Sequence, residues 1–194
     1  DADYLASYLN ANNPTYNIDK IFFDSYSQVS VAGGERYPDV QKAINDKMFS
    51  GTLILNYTGH GGELGWAHER VLNNTDIAQW TNANKLPLFV TATCEFSRYD
   101  DPERTSSGEL TLLAEKGGTI GLMTTVRLVY SSANQNLATN FYQLAFESLN
   151  GEMPRLGDLV MKTKNNSWSG ENNRKFTLLG DPAIRLSYPK YKVS

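Results

Sequence analysis

A glycine-flanked histidine and the single cysteine of the chain are the residues best suited to chemistry. His60 follows the apolar run Leu53–Leu55, and Cys94 closes a second apolar run that begins at Leu88. A thiolate can attack a peptide carbonyl, and an imidazole can then protonate the leaving amine. If the two runs are neighbouring parallel strands, both side chains emerge at the carboxyl edge of the sheet, where open α/β sheets keep their sites. The pair predicts covalent thiol catalysis.

The same stretches offer the other parts of such a site. The oxyanion of the reaction needs backbone donors, and we expect the amides of Gly61 and Cys94 to supply them at the two strand ends. Trp66 and Tyr130 are aromatic residues in loops that follow strand ends. Either ring could wall a substrate pocket, and plain packing is the equal alternative for both.

Metal and phosphate chemistry is less well supported by the sequence. A zinc site formed by His60, His68 and Cys94 would lack both the short paired spacing of common sites and a fourth ligand, and an exposed His68 is the better interpretation. The acidic stretch Asp100–Arg104 lacks the alternating pattern of a calcium loop, which favours a solvated loop. No Lys and Ser/Thr pair follows Gly59–Gly62 at the P-loop positions. We therefore expect no metal in catalysis.

Composition narrows the class of protein. The 194 residues are 40% hydrophobic and 20% charged, which fits one soluble globular domain. A net charge of −3 argues against nucleic acid as the main partner. No apolar run approaches the roughly 20 residues that span a bilayer. One cysteine excludes an internal disulfide and leaves the redox compartment open.

Apolar spacing predicts that strands alternate with helices, which indicates βαβ units and a mainly parallel sheet covered on both faces. The predicted strands are Ile18–Phe23, the run before His60, Leu88–Thr93, Thr119–Thr125 and Ala183–Leu186. The predicted helices cover residues 2–10, 38–48, 73–80 (capped by Asn74 or Thr75), 107–116, 132–149 (stopped by Asn150–Gly151) and 154–164, and residues 25–37 and 165–173 are predicted to be loops.

Three stretches together resemble the gingipain family of cysteine peptidases. They are the segment Asn56–Gly61 with Trp66, the strand from Pro87 to Cys94 with its terminal Ala-Thr-Cys, and the closing Leu179–Pro182. The resemblance runs through nearly the whole chain in order. It implies a caspase-like, three-layer α/β/α fold, with the family's catalytic histidine at His60 and its nucleophile at Cys94. Tyr130 would correspond to the tryptophan that helps close the specificity pocket.

Finer details resemble one branch of the family. Gly61–Glu69, Thr91–Arg98 and Phe176–Ala183 are similar to the signal peptidase of the Bacteroidetes type IX secretion system. That resemblance implies a place at the outer membrane, a substrate formed by the C-terminal targeting domain of secreted cargo, and attachment of cargo to lipopolysaccharide. The same resemblance implies that the protein has partners among the outer-membrane components of the secretion system. A non-catalytic domain that binds cargo and a secreted protease of general specificity are the alternatives.

The resemblance also sets limits. The specificity acid and the histidine-orienting acid of secreted gingipains have no counterpart that can be placed in this sequence, so their preference for Arg or Lys is not carried over. Residues 1–194 are expected to form one caspase-like catalytic domain within a larger protein. The chain is expected to turn over poorly alone, with no carboxylate of its own on His60 and an unpaired sheet edge near Ile18–Phe23. Catalysis should need no cofactor, and structural calcium fits the family.

Overall fold

The computed structural model describes residues 1–148 and 151–189. It divides into two compact units. The sheet unit consists of Ile21–Val129 and Lys175–Gly180, and the helical unit consists of the described residues of Asp1–Lys20, Tyr130–Arg174 and Asp181–Ser194. Both candidate catalytic residues, His60 and Cys94, belong to the sheet unit.

Helices separate the five-residue strands along the chain, as the apolar spacing predicts, whereas the shorter strands follow one another in two groups, with no helix between the strands of a group. The helices are α1 (Ala2–Asn12), α2 (Pro38–Ser50), α3 (Asn74–Gln79), α4 (Ser107–Leu113), α5 (Ser131–Ala145), α6 (Leu156–Asn166) and α7 (Glu171–Arg174). The strands are β1 (Val29–Val31), β2 (Gly34–Arg36), β3 (Ile54–Thr58), β4 (Gly61–Gly62), β5 (Gly65–Trp66), β6 (Leu72–Asn73), β7 (Leu88–Ala92), β8 (Gly121–Thr125) and β9 (Phe176–Gly180).

A four-stranded sheet in the order β3-β7-β8-β9 is the frame of the sheet unit. The pairs β3–β7 and β7–β8 are parallel, and β9 runs antiparallel to β8. Every residue of β7 and β8 is buried, as expected for the near-continuous apolar runs of central strands. Smaller antiparallel sheets, β1-β2 and β4-β5-β6, lie in the connections.

Helix α2 covers part of the sheet through residues at four-residue spacing. Val40, Ile44 and Met48 are buried in one cluster with side chains that include Tyr57 and Phe89. Pro38 occupies the first turn, where its missing N–H does no harm. The predicted helix over 38–48 is confirmed, with two further residues at its end.

The helical unit has its own apolar interior. Helix α5 buries one face that includes Leu137 and Phe141, and α6 buries Leu159 and Val160. Helix α5 ends at Ala145, so the predicted extension to Leu149 is wrong for the residues up to 148, and its predicted end at Leu149 before Asn150 lies outside the described residues. None of the helices in the described ranges combines the length and the apolar character that crossing a bilayer requires.

The structure corrects several local predictions. Ile18–Phe22 is not a strand, and Phe23–Ser25 is a short 3-10 helix, because no described strand lies beside this segment to complete a ladder. The loop predicted for 25–37 contains the hairpin β1–β2. The last strand is β9, not Ala183–Leu186, and it ends at Gly180 just before Asp181-Pro182. The cap of α3 is Asn73, whose side chain accepts from the N–H groups of Thr75 and Asp76.

Candidate active site

Sheet register places the two candidate catalytic residues on adjacent strand ends. Thr58 at the end of β3 is paired with Ala92 at the end of β7. His60 and Cys94 each follow two residues beyond that pair. Since β3 and β7 are parallel neighbours about 4.8 Å apart, both residues leave the sheet at the same edge.

His60 lies in the histidine loop, residues 59–67, which is fixed through its backbone. The Tyr57 hydroxyl donates to the His60 carbonyl at 2.7 Å, and the Ala67 N–H donates to the same oxygen at 2.8 Å. The Tyr57 ring stacks on Trp66 with centroids 4.4 Å apart and planes 3° from parallel. Burial raises the pKa of Tyr57, so its hydroxyl remains a donor at neutral pH. The loop is therefore held by one stacked aromatic pair and two hydrogen bonds.

The imidazole of His60, in contrast, is exposed. Its ring centroid lies 6.1 Å from that of His68, which is also exposed and therefore fits the sequence interpretation. Within the part of the chain that the structure describes, the His60 side chain makes no hydrogen bond and no ion pair. The ring is free to meet a substrate, but no carboxylate of the described residues sets its tautomer.

Cys94 lies in a sharp bend, the cysteine turn, residues 93–97. Its thiol is partly buried, with Sγ 3.9 Å from the carbonyl oxygen of Val129. The next residue, Glu95, has a φ of 51°, a left-handed conformation that is uncommon outside glycine and is typical of functional turns. The Ser97 N–H donates to the carbonyl of Thr125 on β8 at 3.0 Å. This bend turns the chain away from the sheet directly after the thiol.

A chain of buried hydroxyls supports the cysteine turn from below. The Thr124 hydroxyl lies 2.8 Å from those of both Thr91 and Ser97, and the Thr125 hydroxyl donates to the carbonyl of Thr93. All five side chains are buried. Polar groups in such a place must be paired to one another, so the hydroxyls fix the relative position of β7, β8 and the turn.

Helix α4 packs tightly against the same turn. A Cβ added at Gly108 would lie 1.8 Å from Ser97 Oγ, far inside van der Waals contact. The Gly108 N–H donates to the carbonyl of Phe96 at 2.9 Å, which the absence of a side chain permits. Glycine at this position lets the first turn of α4 pin the residues that follow Cys94.

The histidine loop and the cysteine turn meet at Gly61 and Thr93. A Cβ on Gly61 would lie 2.5 Å from Thr93 Oγ1, so only glycine allows this approach. Because Ala67 N–H bonds His60 O, Gly61 and Trp66 face each other as a non-hydrogen-bonded pair, and the Gly61 N–H points out of the ladder. Among the described residues, the Cys94 N–H donates to no acceptor. The N–H groups of Gly61 and Cys94, which we expect from the sequence to bind the oxyanion, are thus free to donate hydrogen bonds.

A cleft of about 840 Å³ opens beside His60, and we call it the histidine cleft. Its size is within the range of ligand pockets. Cys94 does not line it. Its walls come from the histidine loop, from the segment that runs from His68 through β6 to the start of α3, and from one arginine of the loop after the cysteine turn. They comprise His60, Gly61, Gly62, Glu63, Leu64, Gly65, Ala67, His68, Arg70, Leu72, Asn73, Asn74, Thr75 and Arg104.

Glu63 links this cleft to the segment that follows the cysteine turn. Its side chain is only 12% exposed, and Oε1 accepts from Arg98 Nη1 at 3.0 Å. Arg104 Nε lies 3.3 Å from Oε2, an ion pair without hydrogen-bond geometry. The Glu63 carbonyl also accepts from the N–H of Ser107 at the start of α4 at 2.7 Å. Two arginines therefore compensate the negative charge of one largely buried carboxylate at the rim of the site.

Trp66 is not a pocket wall. Its side chain is completely buried, stacked on Tyr57 and tilted against Phe89 and Phe96 at centroid distances of 5.3 and 5.4 Å. A ring without exposed surface does not meet a substrate, so the structure corrects this prediction in favour of packing. The short strands β4, β5 and β6 fold the ring back into the core.

Tyr130 belongs to the helical unit, where it precedes α5. The residue is 69% exposed, and its backbone N–H donates to Asn172 Oδ1 at 2.7 Å. Its role in a substrate pocket stays a prediction.

The acidic stretch from Asp100 to Arg104 is engaged in local interactions. Asp100 accepts from Arg127 Nη1 at 2.8 Å, and this guanidinium lowers the pKa of the carboxyl. Asp101 Oδ1 accepts from the Glu103 N–H at 2.9 Å, closing a tight turn. The described ranges contain no group of three or more His, Cys, Asp or Glu side chains that could hold a metal ion.

The sequence interpretation missed Glu63, Arg70, Arg98 and Arg104. The ion pair between Glu63 and Arg98 had a signal in the sequence positions. The two residues follow the paired ends of β3 and β7 by nearly the same number of residues. Chains that leave adjacent parallel strands together keep such positions close. Charge complementarity at matched offsets could therefore have indicated the ion pair.

An α/β sheet with an imidazole and a thiol at adjacent strand ends is the arrangement of a caspase-like domain, and solved structures share this fold. The complex of Porphyromonas gingivalis RgpB pro- and mature domains matches with a TM-score of 0.67 and 20% identity, covering 75% of this chain and 37% of that one. The Arg-specific cysteine proteinase gingipain R (RGPB) matches with a TM-score of 0.64 and 20% identity, covering 75% and 36%. These likenesses confirm the predicted fold class.

The sequence itself matches Peptidase family C25 over residues 1–187, and the chain belongs to that family of cysteine peptidases. Among curated relatives, gingipain R2 and gingipain R1 of Porphyromonas gingivalis are each 38% identical over 53 residues, which is 27% of this chain. The aligned part is 7% and 5% of those proteins, and the chain spans little more than a third of the solved structures.

Proposed function

We propose that this chain carries the catalytic core of a cysteine endopeptidase, with Cys94 as nucleophile and His60 as acid–base. The observation that supports this most is the pairing of Thr58 with Ala92, two residues before His60 and Cys94 respectively. Two reactive side chains that leave adjacent parallel strands at the same offset can act on one bond. Membership of Peptidase family C25 supports the same chemistry.

The reaction runs in two steps. The Cys94 thiolate attacks the scissile carbonyl carbon and forms a C–S bond, while the N–H groups of Gly61 and Cys94 stabilise the oxyanion. The His60 imidazolium gives its proton to the leaving nitrogen as the C–N bond breaks, which leaves a thioester. His60 then takes a proton from an incoming water or acceptor nucleophile, which attacks the thioester, breaks the C–S bond and releases the Cys94 thiolate, so that the starting thiolate and imidazolium are restored.

The finer assignment is to the signal-peptidase branch of the family. The stretches Gly61–Glu69, Thr91–Arg98 and Phe176–Ala183 resemble PorU of the Bacteroidetes type IX secretion system. On this proposal the substrate is the C-terminal targeting domain of secreted cargo, and lipopolysaccharide is the acceptor nucleophile. The protein works at the outer-membrane surface of a Gram-negative bacterium beside secretion partners, as one domain of a larger protein. Catalysis needs no cofactor, and structural calcium is compatible with it.

A domain that binds cargo without cutting it is the second candidate function. The observation in its favour is the His60 imidazole, which has no hydrogen-bonding partner in the described ranges to fix its tautomer. Losing such a partner costs orders of magnitude in rate in related chemistries. The two candidates differ in whether a covalent bond to Cys94 ever forms.

The deciding experiment incubates a purified cargo protein with the larger protein that carries this domain, either unchanged or as its Cys94→Ala variant, and follows the products by mass spectrometry. We expect the protein with Cys94 to release the C-terminal domain of the cargo and the Cys94→Ala variant to release none. Alkylation of Cys94 should abolish this release, whereas a zinc chelator should leave it unchanged. Intact cargo with both proteins, but equal binding, would favour the second candidate. Cleavage at many unrelated sites would indicate a protease of general specificity. Restoration of a chelated sample by zinc alone would contradict thiol chemistry without a metal.

A further inference from the structure

The histidine cleft carries positive charge in a chain whose net charge is −3. The charged side chains on its walls are Glu63, Arg70 and Arg104. Glu63 is already compensated, because Arg98 and Arg104 lie 3.0 and 3.3 Å from its two oxygens. Arg70 has no carboxylate partner among the described residues. Its guanidinium is therefore the cleft's free cation in that part of the chain.

The backbone holds Arg70 in a defined position. Arg70 has a φ of 58° and Ala67 one of 61°, both left-handed and uncommon for residues other than glycine. The Arg70 N–H donates to the Ala67 carbonyl at 3.2 Å, and the Val71 N–H donates to the Trp66 carbonyl at 3.2 Å. Trp66 and Val71 are fully buried, so the turn between them is anchored at both ends. A fixed turn presents the guanidinium to the cleft.

The position of the cleft indicates which half of a substrate it meets. His60 lines the cleft and Cys94 does not, so the cleft extends on the imidazole side of the two residues. In thiol catalysis the imidazole protonates the leaving amine. The leaving half of the peptide therefore departs on the side of the imidazole, whereas the acyl half stays on the thiol.

We propose that the histidine cleft binds the leaving half of a peptide substrate and that Arg70 selects an acidic side chain within it. This assignment rests on the proposed endopeptidase function. A guanidinium pairs with a carboxylate through two parallel hydrogen bonds, which gives direction as well as attraction. Aspartate or glutamate in the first few residues after the scissile bond would reach Arg70, while the exposed His68 and the rim residue Leu64 border the same space.

The first test uses a randomised octapeptide library and reads cleavage products by mass spectrometry. Wild-type protein is compared with Arg70→Asn, which removes the charge while tolerating a left-handed backbone, and with Lys116→Gln, a matched charge loss at an exposed position outside the cleft. We expect acidic residues to be enriched after the cleaved bond for wild type and Lys116→Gln. The enrichment should fall about tenfold in Arg70→Asn, as expected for one lost charge-assisted pair. An unchanged preference in Arg70→Asn would overturn the proposal.

The second test needs no turnover and separates this proposal from the endopeptidase function. Acetyl-Asp-Glu-amide and acetyl-Asn-Gln-amide are titrated separately while the Arg70 Nε–Hε resonance, assigned by its loss in Arg70→Asn, is followed by NMR. We expect the acidic peptide to shift this resonance at a concentration at least about tenfold lower than its neutral partner. Equal titrations would contradict the subsite. Selective titration with no library cleavage would keep the subsite and contradict the endopeptidase.

Discussion

The two sides of the candidate site are held in different ways. The histidine loop is held by the aromatic stack of Tyr57 on Trp66 and by two hydrogen bonds to the carbonyl of His60. The cysteine turn rests on a buried chain of hydroxyls centred on Thr124. The first support fixes a backbone and leaves its imidazole exposed. The second fixes the turn that follows Cys94 against two strands, so the two backbones are held by different kinds of interaction.

Trp66 is the element that both sides share, since it stacks on Tyr57 below His60 and contacts Phe96 in the cysteine turn. Trp66→Ala should therefore give the largest loss of stability, about 3–5 kcal/mol in urea unfolding, because it empties a fully buried site. Trp168→Ala is the matched control: that ring is 62% exposed, and we expect a change within about 0.5 kcal/mol. Equal losses of stability in Trp66→Ala and Trp168→Ala would contradict the role of Trp66 as a shared support of the two sides.

Thr124→Val tests the cysteine side alone. The substitution keeps the shape and leaves the hydroxyls of Thr91 and Ser97 without their common partner, so we expect a loss of about 1–3 kcal/mol. Alkylation of Cys94 should also change in rate, because the turn that presents the thiol is loosened. Thr163→Val removes a buried hydroxyl that has no hydrogen-bond partner among the described residues, and should be neutral or stabilising. A harmless Thr124→Val would mean that the hydroxyl chain only fills space.

Tyr57→Phe tests the histidine side and should have the smallest effect of the three. It removes one donor from the His60 carbonyl, which the Ala67 N–H still satisfies. We expect about 1 kcal/mol of lost stability and a threefold to tenfold fall in kcat, roughly, through a less well-placed imidazole. Tyr188→Phe is the matched control, because it removes a hydrogen bond of 2.6 Å from the Tyr188 hydroxyl to the Ala145 carbonyl. That variant should lose similar stability and keep full activity, and a matching loss of activity would remove the link to His60.

The sequence predicts the frame of the site well, because the frame depends on local patterns. Apolar runs that stop at glycines and at Cys94 indicate two buried strands, and parallel neighbours must release His60 and Cys94 at one edge. Ile18–Phe23 carries the same apolar signal and is not a strand. Propensity identifies a segment able to pair, but pairing needs a neighbouring strand, which a local pattern does not contain.

The surroundings of the site are harder to predict, because they depend on contacts between distant residues. Trp66 in a glycine-rich stretch looks the same to a sequence pattern whether its ring faces solvent or core. Three two-residue strands decide it, and such short elements carry almost no periodic signal. The charged residues of the cleft are equally hard to predict from local patterns. Glu63 contacts Arg98 and Arg104 only because the register of β3 and β7 brings distant segments together.

The proposed endopeptidase requires His60 and Cys94 to act as one catalytic unit across two differently supported strand ends. The direct measurement is kcat/KM for cleavage of one peptide by the wild type, His60→Ala, Cys94→Ala and the double variant, with folding of each checked by circular dichroism. Each single variant should lose about a thousandfold or more, and the double variant should be no worse than the poorer single. Two partial losses that multiply in the double variant would contradict the claim.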